Sequence, residues 1–114
     1  QHEKRRFIDK IDYVTSVGWA GGPGGREKLG LPGNRGPLAV VTDKGILRFD
    51  EVTKRMYLAG YYPGVTIEDI VENTGFELDT SRAVQLEAPT EEIIKMIRED
   101  IDPGQAFIKV PVEE

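Results

Sequence analysis

Short β-like runs and two stretches of helical spacing divide the chain. Ile11-Asp12-Tyr13-Val14-Thr15-Ser16, led in by Phe7 and Ile8, is β-branched and aromatic and predicts a strand over 11–16. Leu38-Ala39-Val40-Val41 is a continuous apolar run, as in a strand buried on both faces, and predicts a strand over 38–42. Asp43-Lys44-Gly45 is a turn signal, and Ile46-Leu47-Arg48-Phe49 predicts the return over 46–49. A polar stretch over 50–55 turns the chain into a third strand over 56–62, closed by Pro63-Gly64.

Helical spacing follows. Thr66 is a good N-cap, Asp69 completes a capping-box-like pair, and Ile67, Ile70 and Val71 share one face of a helix over 67–74. Gly75 stands where a helix C′ residue takes a positive φ, with Phe76 placed for the accompanying apolar contact. A second helix over 91–101 starts after Thr90 with Glu91 and Glu92 in its first turn, which suits the helix dipole. Its stripe is Ile93, Ile94, Ile97 and Ile101, and Asp102-Pro103-Gly104 ends it. Ile70, Val71, Ile94 and Ile97 are expected to pack on the sheet. With no repeat or heptad, the fold class is α/β.

Between the first two strands the composition changes. Eight of the thirteen glycines fall within residues 18–36. Connections usually run about 4–6 residues, so a structureless loop this long is uncommon. It reads as a functional loop, a surface covered by a partner, or a solvated flexible loop. Trp19, Leu29 and Leu31 are its large apolar anchors. Within it, Gly21-Gly22-Pro23-Gly24-Gly25-Arg26 could present backbone N–H groups to an anion, with Arg26 as the charged donor. The run matches neither the phosphate-loop pattern nor the dinucleotide fingerprint.

Composition narrows the chemistry. A net charge of -5 over 114 residues argues against nucleic acid, which needs clustered Lys and Arg. No apolar run approaches the ~18 residues of a membrane span, and a cytoplasmic protein is expected. There is no cysteine, hence no thiol chemistry or disulfide frame. The single histidine, His2, is read as a bystander, since it cannot alone build a histidine-based triad or metal site. Most carboxylates lie among other charges, as in Arg98-Glu99-Asp100, and read as solvated faces. The opening Gln-His-Glu, without Met, suggests an engineered chain, a processed chain or a fragment.

Five segments in order resemble the B subunits of glutaconate-type (class I) CoA-transferases. They run from Gln1 to about Ile108. Gln1 to Phe7 with Lys10 to Ser16 looks like the strand before the last third of those subunits. Gly22-Pro23-Gly24-Gly25-Arg26-Glu27-Lys28-Leu29-Gly30-Leu31 resembles the family's GPGAREKAGL loop. Val41-Thr42-Asp43-Lys44-Gly45 and Phe49 to Met56 look like its hairpin. Pro63 to Ile70 with Thr74-Gly75-Phe76 is similar to its HPGVTVEDV…TGF stretch, with Tyr62 in place of the histidine.

The resemblance implies that residues 1–114 are the C-terminal part of a NagB/RpiA/CoA-transferase-like three-layer domain, a mixed sheet with flanking helices. It implies a heteromeric enzyme that exchanges CoA between an acyl-CoA and a carboxylic acid. CoA is then a substrate, no cofactor is bound permanently, and the partners are an A subunit and the upstream half of the B subunit. Gly22, Gly24, Gly25 and Arg26 are the candidate CoA contacts. The family's catalytic glutamate and its oxyanion segment lie upstream, so this chain is expected to hold no catalytic residue and no metal, and to be inactive alone. Glu72-Asn73-Thr74-Gly75 imitates the catalytic context, but Glu72 falls at a helix end. Two other readings are a CoA-thioester hydrolase of the same fold and a non-catalytic interaction module.

Overall fold

A computed structural model describes residues 1–109. Its centre is a mixed four-stranded sheet in the order β1-β2-β3-β4: β1 Ala39–Val41, β2 Gly45–Phe49, β3 Met56–Tyr61 and β4 Val84–Gln85. β1, β2 and β3 form the expected antiparallel meander. Ala59 is the extra residue where the β2–β3 register shifts, between the Leu47–Leu58 and Ile46–Gly60 pairs. β4, too short to stand out in the sequence, pairs parallel to β3. The crossover between these two strands carries α2, Ile67–Glu72, whose Thr66 hydroxyl accepts from the Asp69 N–H at 3.1 Å.

The buried apolar core is small. Among the described residues it consists of Leu47, Leu58, Ile70 and Leu78, while seventeen large apolar side chains are exposed. The radius of gyration is 17.0 Å, against about 13 Å for a compact domain of this length. Among the described residues, eight further apolar side chains are partly buried against this core.

Several expectations are corrected here. Residues 11–16 are not a strand: none of the described residues pairs with them, and Ile11, Tyr13 and Val14 are 54%, 80% and 53% exposed. Of the four side chains expected on the sheet, Ile70 is fully buried and Val71 is exposed. Ile94 and Ile97 instead line a pocket of about 250 Å³ with Asp102 and Ile108. Their helix is α3, Glu91–Met96, which passes into a π-helical turn over Ile97–Ile101. Ile94 and Ile97 face Gln105, Ile108 and Lys109, in a segment pinned by the Asp102 carboxylate, which accepts from the Ala106, Phe107 and Ile108 N–H groups at 2.7, 3.0 and 2.7 Å.

Gly75 does not take the positive φ of a C′ residue; α2 ends at Glu72 with Asn73 as its C-cap. Glycine is needed there for closeness. The Gly75 N–H donates to the Phe7 carbonyl at 2.5 Å, and a Cβ would lie 2.6 Å from that oxygen. The same contact seats His2, which is 2% exposed. Its ring stacks on Phe7 at 4.0 Å, and its backbone N–H donates to Asp43 Oδ1 at 2.6 Å. The Thr74 hydroxyl donates to the Ile70 carbonyl at 2.7 Å, so its lone pairs accept from His2 Nε2–H at 2.9 Å.

Two outcomes are expected. Gly75→Ala forces backbone against backbone and should cost about 1–3 kcal/mol in denaturant unfolding. Burial holds the His2 imidazole below its ordinary 6.5, with the Asp43 carboxylate opposing. The unfolded chain then binds the extra proton, so this stability is present above pH 6.5 and is lost as pH falls below it toward the lowered folded value. His2→Gln should flatten the decline of Tm below pH 6.5 that the unmodified chain shows.

Candidate functional site

The glycine-rich segment is not structureless. Its residues 25–28 form a single turn of helix, α1 (Gly25–Lys28), and Gly24, at φ 73°, leads into it. Arg26 closes the segment on itself: Nε donates to the Pro32 carbonyl at 2.9 Å and Nη1 to the Gly18 carbonyl at 2.8 Å. The Gly22 N–H is taken by the Trp19 carbonyl and the Gly25 N–H by that of Gly22, each at 3.1 Å. Of the four candidate contacts, Arg26 and the exposed Gly24 keep a backbone N–H without a partner among the described residues. The four residues are brought together, and their polar groups mostly hold the loop.

Trp19 seats the segment on the sheet. Its indole N–H donates to the Pro37 carbonyl at 3.1 Å, and its ring meets Phe49 at 6.5 Å between centroids. Gly36 has no side chain because the indole occupies that space; a Cβ there would overlap the ring. Leu29 and Leu31, the other expected anchors, are 58% and 37% exposed. One aromatic side chain therefore does the anchoring.

Opposite Trp19 stands the turn between β2 and β3. Asp50 Oδ1 accepts from the Val52 N–H at 2.9 Å, the Thr53 N–H at 2.7 Å and the Thr53 hydroxyl at 3.1 Å. These donors, led by Thr53, pull the Asp50 carboxyl down to about 2, and Arg82 adds a 3.1 Å bond to Oδ2. Lys54 takes a positive φ of 58°, which brings its ammonium 4.5 Å from the Trp19 ring. The Arg82 guanidinium carbon lies over the Tyr57 ring, 3.6 Å from its centroid.

Loop and turn enclose a groove of about 470 Å³ with Trp19, Phe49 and Tyr57 as aromatic walls, Arg48, Lys54 and Arg82 as cations and Asp50 and Glu51 as carboxylates. Such a lining offers flat aromatic faces between charges of both signs. It supplies no nucleophile with a base beside it. Asp50, Lys54, Tyr57 and Arg82 escaped sequence reasoning, because residues 32 positions apart meet only through the β3–β4 crossover. The Asp-x-x-Thr spacing of a side-chain-capped turn was the one local signal. Glu72 is the exposed last residue of α2. Among the described residues no group of His, Cys, Asp and Glu could hold a metal, and no helix is long and apolar enough to cross a membrane.

A sequence model described as coenzyme A transferase matches residues 1–73. The chain belongs to that family. It is 73% identical to the B subunit of glutaconate CoA-transferase from Acidaminococcus fermentans over 99% of its own length and 42% of that protein. The crystal structure of that organism's glutaconate coenzyme A-transferase superposes with a TM-score of 0.93, covering 97% of this chain and 43% of the other. The B subunit of the Pseudomonas knackmussii 3-oxoadipate CoA-transferase is 38% identical over 82% of this chain and 36% of its own. The crystal structure of Rhodococcus jostii IpdAB, 28% identical, gives a TM-score of 0.71 over 93% of this chain and 42% of that one; the IpdB subunit of that organism is named a cholesterol ring-cleaving hydrolase. The chain thus spans well under half the length of the relatives it matches, and the likeness settles the α/β class with its mixed sheet.

The chain's single tryptophan makes the seat measurable. Gly36→Val should expel the indole, shifting its fluorescence to longer wavelength and speeding proteolysis within residues 18–36. Arg26→Ala removes two hydrogen bonds to carbonyls and should cost about 1–2 kcal/mol, with the same gain in proteolysis and little change in the fluorescence maximum.

Proposed function

We propose that this chain is a working part of the B subunit of a CoA-transferase, which exchanges CoA between an acyl-CoA and a carboxylic acid. The identity of 73% to the B subunit of a glutaconate CoA-transferase carries the reading. The proposal includes an A subunit and the rest of the B subunit as partners, in the cytoplasm, and acyl-CoA and carboxylate as substrates. The route is the one the resemblance implies. A glutamate outside this chain attacks the acyl-CoA, and CoA then becomes a thioester of the enzyme. Such a carboxylate needs donors poised for the oxyanion, and one donor of this kind is worth about 10²–10³ in rate. In this reading residues 1–114 complete a three-layer domain, the last five lying outside the described residues.

The loop of Gly22, Gly24, Gly25 and Arg26 serves here as a preformed surface for CoA. Arg26 holds it rigid through Gly18 and Pro32, and the Gly24 N–H is left to donate. A shape fixed before binding spares the ligand the cost of ordering it. The second reading, a CoA-thioester hydrolase, draws support from the likeness to IpdAB and the name of the Rhodococcus protein.

The chain alone, incubated with a panel of acyl-CoA thioesters, should show no covalent adduct by intact mass. Supplied with an A subunit and the rest of a B subunit, it should yield a glutamyl-CoA species and transfer to an added carboxylate. Hydrolysis without transfer would favour the second reading. Glu72→Ala should change neither result; loss of an adduct in that variant would make Glu72 the nucleophile and overturn the proposal.

A further inference from the structure

His2 is a buried titratable group that the proposed acyl transfer leaves unused. Its ring nitrogens lie 2.9 Å from the Thr74 hydroxyl, just past α2, and 3.3 Å from the Thr42 hydroxyl of the β1–β2 turn. The Thr74 hydroxyl donates to the Ile70 carbonyl, which leaves it a lone pair for Nε2–H. The Thr42 oxygen accepts from the Lys44 and Gly45 N–H groups, both at 3.1 Å, and these fill its two lone pairs. It has only its proton to offer Nδ1. The Gly45 carbonyl, the other acceptor for that proton at 3.1 Å, also holds the Thr42 N–H at 2.9 Å and does not need it. The seat therefore fits a neutral imidazole with its proton on Nε2. A second proton, on Nδ1, meets an oxygen with no lone pair left.

The charges around the ring are engaged as well. Asp43, on the turn, takes the His2 backbone N–H through Oδ1 at 2.6 Å. Asp69, on α2, is held by the Lys44 ammonium and the Asn73 amide. Glu3, on the ring's own segment, pairs with Arg5 and Arg6. Burial disfavours a charged ring, Asp43 and Asp69 favour one, Lys44 and the terminal amino group oppose it, and burial prevails. The hydrogen bonds, ring stack and bridge that tie residues 1–9 to the remainder of the described chain run through His2, Phe7 and Ile8. Phe7 stacks on the imidazole, gives its carbonyl to Gly75 and packs on the core. The four strands pair without any of these residues.

We infer that His2 is a pH-operated latch: neutral, it locks residues 2–8 onto the end of α2, and charged, it leaves its seat and frees them while the sheet stays folded. The latch concerns attachment of this segment, so it stands or falls apart from the proposed acyl transfer.

The test uses the 114-residue chain. Exchange of the Gly75 amide, whose N–H the Phe7 carbonyl holds, gives the opening equilibrium once corrected for intrinsic rates. The ring-proton NMR signal of the single histidine gives its charge. Because the open form takes the proton, opening should rise about tenfold per pH unit below 6.5, down to the lowered folded value. Low urea should leave Gly75 exchange unchanged. The Leu58 amide, bonded to the Asp79 carbonyl at 2.8 Å, should exchange far more slowly and respond to urea. His2→Gln should abolish the pH slope at Gly75, whatever its level of protection. Four results would each overturn the latch: protection of Gly75 without a slope, a slope that survives His2→Gln, a ring that titrates at its ordinary value with Gly75 still protected, or Gly75 opening only together with Leu58.

Discussion

Leu47 and Leu58 face each other across β2 and β3, both fully buried, and the rest of the structure hangs from that pair. Burying a leucine contributes about 1.5–3 kcal/mol, and here only Ile70 and Leu78 share the burial. The hairpin that carries the pair sends β1 to one side and, through α2, β4 to the other. The bulge at Ala59 sits next to Leu58 and lets the strands continue past it out of step by one residue. With so few buried groups, polar contacts must place the outlying segments.

Two such contacts divide the work. At one end of the sheet, His2, Phe7 and Thr74 bind the first residues to the end of α2, and Gly75 supplies the backbone approach that makes it possible. At the other end, Trp19 and Pro37 close the glycine-rich segment over Phe49. The stretch between these anchors, residues 10–16, has neither kind of contact. Its exposure follows from where the chain's own partners run out.

The candidate site shares this economy. Arg26, the one charge of the glycine-rich run, is occupied with carbonyls 6 and 8 residues away and acts first on the loop's shape. Arg82 does the same for the β2–β3 turn, bonding Asp50 while lying on Tyr57. In both places a guanidinium, planar and rich in donors, organises backbone that lacks an apolar core beneath it. Rigidity gained in this way is what a binding loop needs.

Local chemistry alone determined the meander, the capped start of α2 and the helical turn after Thr90. Each is decided within a few residues, by β-branching, by a hydroxyl that reaches an N–H three positions on, or by a Pro-Gly stop. The glycine-rich segment was equally visible as a likeness to one family, and its match to the coenzyme A transferases agrees with it. Tertiary structure decided the remainder. That Ile11 to Ser16 are bent and unpaired, against their β-branched composition, is set by what surrounds them and not by propensity. That His2 is buried, that Gly75 is glycine for proximity and not for its φ, and that Arg82 reaches Asp50 all depend on contacts between residues tens of positions apart. A sequence states what each residue prefers next to its neighbours; only the closed sheet states what it will touch.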